Sequence, residues 1–481
     1  MRLPNIILSM CDDLGYGDVG FHGNQVIKTP HLDAMAERGV RFERFYAGAP
    51  VCSPTRGTCL TGRHYLRYGV THANEGKLRA EEINLAQVLS QVGYTTAHFG
   101  KWHLGTLTTS GEDGNRGGEA DSANYYAPPW NRGFDTCFST EGKVPTWDPM
   151  VTPAEGEDLW GKPGTPWGSH YWDETGTPVT DNLEGDDSRV IMDRVIPFIR
   201  SAVEWGQPFF AVIWFHAPHT PVVAGPDHRA IYANYSEDEQ HYYGCVTAMD
   251  EQIGRLNQEL EAMGVREDTM HWFCSDNGPE GRDGLTGRDR GSTAGLRGRK
   301  RSLFSGGIAV PALLEWPDHT EPGEVIQMPC STLDYFPTVI EAVGYSLPDE
   351  RPLDGISLMP VFDSGLDHRP QPIPYRFLES ERAMFGSPTI AMIDNRYKYL
   401  TNLGDGTDDL CYHLVEDPYE TTNIVGEQQE FCHEMRQRLE RFLASCRQSH
   451  HGADYPEPFT PVDPFQEFEG GWKSVRHQVK R

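Results

Sequence analysis

Unbroken apolar runs that tip abruptly into polar loops recur along this chain, and segments of helical periodicity separate them. Asn5 to Cys11 reads as a buried strand, followed at once by Asp12-Asp13-Leu14-Gly15. Pro30 opens a helix capped by Thr29 and stopped by Gly39, after which Val40-Arg41-Phe42 turns extended. A second helix is predicted over Ile83 to Val92, closed by Gly93. It feeds a strand over Tyr94 to Phe99 and the loop Gly100-Lys101-Trp102-His103-Leu104-Gly105. Further on, a helix near Ser188 to Trp205 precedes the strand Phe209 to Phe215, which ends in His216-Ala217-Pro218-His219-Thr220-Pro221. Ser236 and Glu239 form a capping box for a helix reaching about Met263, and the strand Met270 to Cys274 runs into Ser275-Asp276-Asn277-Gly278. This alternation predicts an α/β protein with a large, mostly parallel sheet flanked by helices. Ligands of such folds bind beyond the carboxyl ends of the strands, where the polar loops fall.

Two places break the rhythm. From about Thr106 to Asp187 periodicity is lost, and Gly, Pro, Trp, Asp and Ser dominate. An irregular stretch of that length in a compact domain is usually functional, and its aromatic content is unlike a disordered segment, so it reads as a specificity region. The second break lies near Ser364 to Pro374. It divides a catalytic domain, residues 1–368, from a smaller α+β domain, residues 369–481, with short antiparallel strands at Thr389 to Ile393 and Tyr397 to Leu400 and a helix over Gln428 to Cys446.

Composition narrows the classes. The chain has 481 residues, ample for a large core. Its 42 basic against 70 acidic residues give a net charge of −28, which argues against nucleic acid or an anionic membrane as a general partner. An anionic substrate must therefore meet a local basic pocket. Ten cysteines without paired metal-type spacings make neither a disulfide framework nor a zinc site. No stretch approaches a membrane span, and Met1-Arg2-Leu3-Pro4 leads straight into the first strand without a secretion signal. The expected location is the cytoplasm, or the periplasm or exterior if a signal has been trimmed.

The strand-end loops hold the candidate chemistry. Asp12, Asp13, Asp276 and Asn277 offer hard oxygen ligands suited to calcium or magnesium, although each pair is also a common turn former. Lys101, His103, His219 and Lys300 supply cations and proton carriers that could hold a tetrahedral oxyanion and protonate a departing oxygen. Cys52 opens a predicted helix, where backbone N–H groups favour negative charge. A thiolate is nonetheless a poor partner for a hard cation.

Cys52-Ser53-Pro54-Thr55-Arg56 with Leu60-Thr61-Gly62-Arg63 resembles the signature of the formylglycine-dependent type I sulfatases, of alkaline-phosphatase-like fold. The likeness continues through the strand-end loops, Leu296-Arg297-Gly298-Arg299-Lys300, Asp354-Gly355-Ile356-Ser357-Leu358 and Asp417-Pro418-Tyr419-Glu420-Thr421-Thr422-Asn423. It implies that a modifying enzyme converts Cys52 to formylglycine, whose hydrate presents a hydroxyl oxygen to the sulfur of a sulfate ester and passes through a sulfated intermediate. It further implies that Asp12, Asp13, Asp276, Asn277 and the modified Cys52 hold one divalent cation, calcium ahead of magnesium. Arg56 would hold the hydrate, Lys101 and Lys300 the sulfate, His219 would protonate the leaving alcohol, and His103 would serve as base for release. The expected substrate is a sulfated carbohydrate, as in polysaccharide degradation. The alternatives are a phosphate or phosphonate ester hydrolase of the same superfamily and a non-catalytic binder of sulfated glycans. One departure stands out: Ser305 and Ala309 occupy positions where relatives often carry an acid and a base.

Overall fold

The structure, a computed structural model, describes residues 3–114, 116–117, 122–154, 162–281, 287–377 and 386–456, with the backbone of 465–468 and 471–474. Parts of the 106–187 stretch (115, 118–121, 155–161) and of the C-terminal unit (378–385 and most of the chain beyond 456) lie outside the described residues.

Nine strands form the principal sheet, in the order Glu324–Ile326, Val40–Phe42, Ala312–Glu315, Thr269–Ser275, Asn5–Cys11, Phe209–Trp214, Thr95–Lys101, Thr136–Thr140 and Trp172–Asp173. The five from Thr269–Ser275 to Thr136–Thr140 are mutually parallel, while Ala312–Glu315 and Trp172–Asp173 run antiparallel to their neighbours. Registration carries the functional consequence. Cys11 lies opposite Ser275, Met10 opposite Trp214, and Gly100 opposite Trp214, so the residues that follow these strand ends emerge side by side at one edge.

Alternate side chains of the central strands feed two cores, one on each face. Ile6, Leu8, Met10, Val212, Trp214 and Trp272 pack on one side, and Ile7, Phe99, Ala211, Ile213 and Phe273 on the other. Helices Asp187–Glu204 and Glu237–Ala262 cover the second face, the latter opened by the expected Ser236/Glu239 capping box. Among the described residues no helix is long and apolar enough to cross a membrane.

Several elements differ from the sequence reading. The strand starting at Thr95 continues through Lys101, which is its last residue rather than a loop residue. Within the stretch read as irregular, Thr136–Thr140 forms a parallel strand of the main sheet. Its polar residues hid it: Ser139 Oγ lies 2.7 Å from His98 Nδ1, and Thr140 Oγ1 lies 2.8 Å from His216 Nε2, so they are satisfied inside the protein rather than by water.

Toward the C-terminus, Ile373–Arg376, Ile390–Ile393, Tyr397–Thr401 and Leu410–His413 make an antiparallel sheet in chain order. Helix Gln429–His450 packs on it through Cys432, Met435 and Leu439. Buried charges tie this unit to the rest. Arg369 makes a two-pronged pair with Asp334 at 2.7 and 2.8 Å, Arg63 reaches Asp454 at 2.6 Å, and Arg67 donates to Ser445 at 3.0 Å and Ser449 at 2.8 Å. Lys398 and Glu420, both fully buried, pair at 2.8 Å. Ser305 meets this pair, its Oγ accepting from Lys398 Nζ at 3.3 Å and its main-chain N–H donating to Glu420 at 2.6 Å. Ser305 is thus held by a buried ion pair from a distant part of the chain.

Candidate active site

The loops after Asn5–Cys11 and Thr269–Ser275 bring Asp12, Asp13, Asp276 and Asn277 together, all of them buried. Asn277 Nδ2 donates to Asp13 Oδ1 at 2.6 Å, and the main-chain N–H of Asp13 donates to Asp276 Oδ1 at 3.2 Å. Three cations balance the three carboxylates. Lys101 Nζ is 2.6 Å from Asp12 Oδ2, Lys300 Nζ is 2.7 Å from Asp13 Oδ2, and Arg56 Nη2 is 2.7 Å from Asp276 Oδ2. Two buried oxygens, Asp12 Oδ1 and Asn277 Oδ1, have no hydrogen-bond partner among the described residues. Unpaired buried acceptors are expensive, and a hard cation satisfies them, so this donor set fits calcium or magnesium.

Electrostatics agree with the geometry. Burial opposes the charge of Asp12, yet Lys101, Arg56 and Lys300 hold it well below the usual carboxylate range. Burial, reinforced by the Asp12 charge, pushes Asp276 up to about 7 against the pull of Arg56. Burial opposes the charge of Lys300 too, but Asp13 and Glu280 keep it a cation.

Cys52 is the first residue of helix Cys52–Thr61, every residue of which is buried. Ligand atoms of Asp12, Cys52 and Asp276 lie within 4.8 Å of one another, as do those of Asp12, Asp13 and His219. Burial raises the Cys52 thiol despite the nearby lysines, so the unmodified side chain is a neutral thiol and a weak nucleophile. One turn along the helix, Arg56 also lies 3.6 Å from Asp12, donates to the Lys101 carbonyl at 3.0 Å and stacks over Trp214 at 5.1 Å.

The histidines are set in opposite senses. His103 Nε2 lies 2.7 Å from Asn74 Oδ1, an atom that can only accept, so Nε2 carries the proton and the buried Nδ1 keeps its lone pair. Burial, with the charges of Lys101, Arg116 and Arg56, holds this imidazole neutral. His219 Nδ1 lies 2.6 Å from the Thr220 carbonyl, which fixes the proton there and turns Nε2 toward Asp13 at 3.6 Å. Burial is again the main reason it is neutral. Asp13, His103 and Arg301 all adopt left-handed backbone, with φ of 68°, 56° and 71°. Such conformations are uncommon away from glycine and concentrate at functional sites.

All ten residues singled out in the sequence converge here. Others were missed: Asn74, which orients His103, and the Glu280–Arg301 pair at 2.6 Å, whose carboxylate also lies 3.6 Å from Lys300. A glycine-rich turn and an arginine beside Lys300 were the only local signals. All ten cysteines are buried and unpaired with one another in disulfides.

The profile described as "Sulfatase" matches residues 4–345, and "N-sulphoglucosamine sulphohydrolase, C-terminal" matches residues 298–448. Arylsulfatase G of Mus musculus is 31% identical over 396 residues, covering 76% of this chain and 70% of its own. Steryl-sulfatase of Homo sapiens is 30% identical, covering 75% of this chain and 70% of its own. Among solved structures, Ps i-CgsB in complex with k-i-k-neocarrahexaose superposes with a TM-score of 0.77 at 25% identity, covering 93% of this chain and 94% of that one.

Proposed function

The chain belongs to the sulfatase family and is a sulfate ester hydrolase, and from that premise we propose that it desulfates a carbohydrate through a formylglycine derived from Cys52 and a bound calcium ion. The observation that carries this reading is the approach of the Cys52, Asp12 and Asp276 ligand atoms to within 4.8 Å at the buried start of a helix. A neutral thiol serves neither the cation nor the sulfur there. Formylglycine would supply hydroxyl oxygen as the nucleophile, and a calcium ion held by Asp12, Asp13, Asp276, Asn277 and that oxygen would offset sulfate charge.

The remaining roles are those the family resemblance implies, and positions and proton inventories are in keeping with them. Lys101 and Lys300, one on each side of the carboxylates, bind sulfate oxygens and stabilise charge in the transition state. Arg56, one turn along the helix, would hold the hydrate. His103 Nδ1, with its lone pair free, takes the proton when sulfate is released. His219 Nε2 would deliver a proton to the leaving alcohol once the anionic sulfate offsets burial and the lysine charges, which together hold the ring neutral. Support for a sugar comes from Trp167, half-buried, whose indole N–H donates at 3.0 Å to the carbonyl of Lys143, a residue whose charge reaches His219. A half-buried aromatic side chain in this stretch suits a pyranose ring. Carrageenan bound to the Ps i-CgsB relative is in keeping with this.

Mass spectrometry of the Cys52 peptide, after co-expression with a formylglycine-generating enzyme, should show the aldehyde. Turnover should be found on sulfated oligosaccharides and be abolished by Cys52→Ala. A persistent thiol, or a stronger turnover of phosphate esters, would overturn the reading.

A further inference from the structure

Arg116 lies in the stretch that sequence patterning resolves least, yet its guanidinium is fully buried. Its Nη1 donates to Glu141 Oε1 at 2.5 Å. Its Nη2 points between two parts of the site, 3.4 Å from Ser53 Oγ and 3.4 Å from the His103 carbonyl oxygen, and also lies 3.3 Å from the Glu75 carbonyl. Ser53 follows Cys52 and donates its own Oγ–H to the same His103 carbonyl at 2.6 Å. The other side of that residue is held too: the His103 N–H donates to the Glu141 carbonyl at 3.0 Å. His103 is thus gripped at both main-chain ends, through one arginine–glutamate pair, in a left-handed conformation at φ 56°.

The local sequence is built around this pair. A Cβ on Gly114, itself at φ 55°, would come 2.0 Å from Glu141 Oε2. Asp113, beside it, accepts from Ser169 Oγ, the His170 N–H and Trp172 Nε1, each at 3.0 Å, which anchors the loop to the sheet edge. Burying a guanidinium costs several kcal/mol even when paired, so stability alone is a weak reason for such a residue.

We propose that Arg116, with Glu141, is a positioning residue for sulfate ester hydrolysis: it locks the strained His103 main chain to the first turn of the Cys52 helix, fixing base and nucleophile relative to each other. The inference rests on the base role given to His103 above. Displacing a reacting group by about 1 Å costs on the order of 100-fold in rate without weakening binding, so the effect falls on kcat.

The test compares Arg116→Met, Arg116→Lys and Glu141→Gln on 4-nitrophenyl sulfate, with the formylglycine content of each protein measured, and repeats Arg116→Met in a His103→Ala background. Arg116→Met should lower kcat by roughly 10- to 100-fold with KM changed less than about threefold, and Arg116→Lys should recover part of the loss. In the His103→Ala background the same change should have under about a twofold effect, because residues acting as a unit are not additive. Wild-type kcat in Arg116→Met, or losses that multiply in full, would overturn the proposal. Amide hydrogen exchange of the peptide spanning residues 101–105 gives a readout independent of turnover. Exchange at least about tenfold faster in Arg116→Met is expected from loss of a local restraint, and unchanged exchange refutes the lock whether or not any sulfate ester is hydrolysed. Faster exchange in a protein that hydrolyses no sulfate ester would instead remove the functional reading. If Arg116→Met does not fold, the two milder variants carry the same comparisons.

Discussion

Arg56→Met probes the charge balance of the site most directly. Methionine keeps an apolar stem against Trp214, while it removes the 2.7 Å bond to Asp276, the 3.6 Å approach to Asp12 and the donor to the Lys101 carbonyl. Three buried carboxylates then face two cations. Breaking a buried ion pair by removing one partner costs about 3–5 kcal/mol, of which a charge-assisted hydrogen bond accounts for about 1.5–3 kcal/mol. Asp276→Asn strands the arginine in turn, although Asp12 still faces it. The double variant strands neither, so its loss should fall short of the sum of the singles by at least about 2 kcal/mol. Urea denaturation in EDTA, followed by near-ultraviolet circular dichroism and tryptophan fluorescence, measures all four proteins without metal linkage. Turnover is a poor readout, because Arg56 belongs to the signature segment around the Cys52 that a modifying enzyme must convert. A single variant with the wild-type midpoint, or a double variant equal to the sum, would refute the electrostatic account.

Three further outcomes are expected. Chelation should abolish turnover, and calcium at about 100 times its Kd should raise stability by about 2.7 kcal/mol; equal restoration by magnesium would remove the calcium preference. Asp186 caps helix Asp187–Glu204, and burial moves it from 3.8 up to about 7. A folded-state value above the unfolded one means stability present below about pH 4 and lost as pH rises through about 7, by up to roughly 4 kcal/mol. The melting temperature of Asp186→Asn should therefore gain on that of wild type between pH 5 and pH 8, and a constant difference would contradict the sign. Finally, Gly100→Ala places a Cβ 2.0 Å from the Trp214 carbonyl at a φ of 94°, so it should prise apart two central strands and abolish soluble expression; a normal melt would show that the backbone can give way.

The central strands and the groups at their carboxyl ends were legible because both signals are local. An apolar run followed by Asp-Asp, Lys-Trp-His or Asp-Asn states its own position in a parallel sheet, and the register of Cys11 with Ser275 does the rest. What stayed hidden depends on partners far away in the chain. Thr136–Thr140 looked like loop because Ser139 and Thr140 are polar, and only the folded protein supplies His98 and His216. Asn74 and Arg116 carry no motif, since their worth lies in reaching His103 across 29 and 13 residues. Ile373–Arg376 is short and contains Pro374, a residue that local reading disfavours in a strand, and its antiparallel partner Ile390–Ile393 lies 14 or more residues on.

The buried charges that fasten the C-terminal sheet and helix have a consequence for ancestry and for engineering. Asp334, Ser305, Arg63 and Arg67 on one side each answer a specific residue on the other, from Arg369 through Lys398 and Glu420 to Ser449 and Asp454. A terminal unit borrowed from a relative would have to arrive with every one of those counterparts, or leave ions stranded at the seam. This C-terminal unit is therefore unsuited to trade between enzymes as a cassette. Point changes at the loop tips around the sheet edge disturb none of these pairs, and so are the easier way to alter the site.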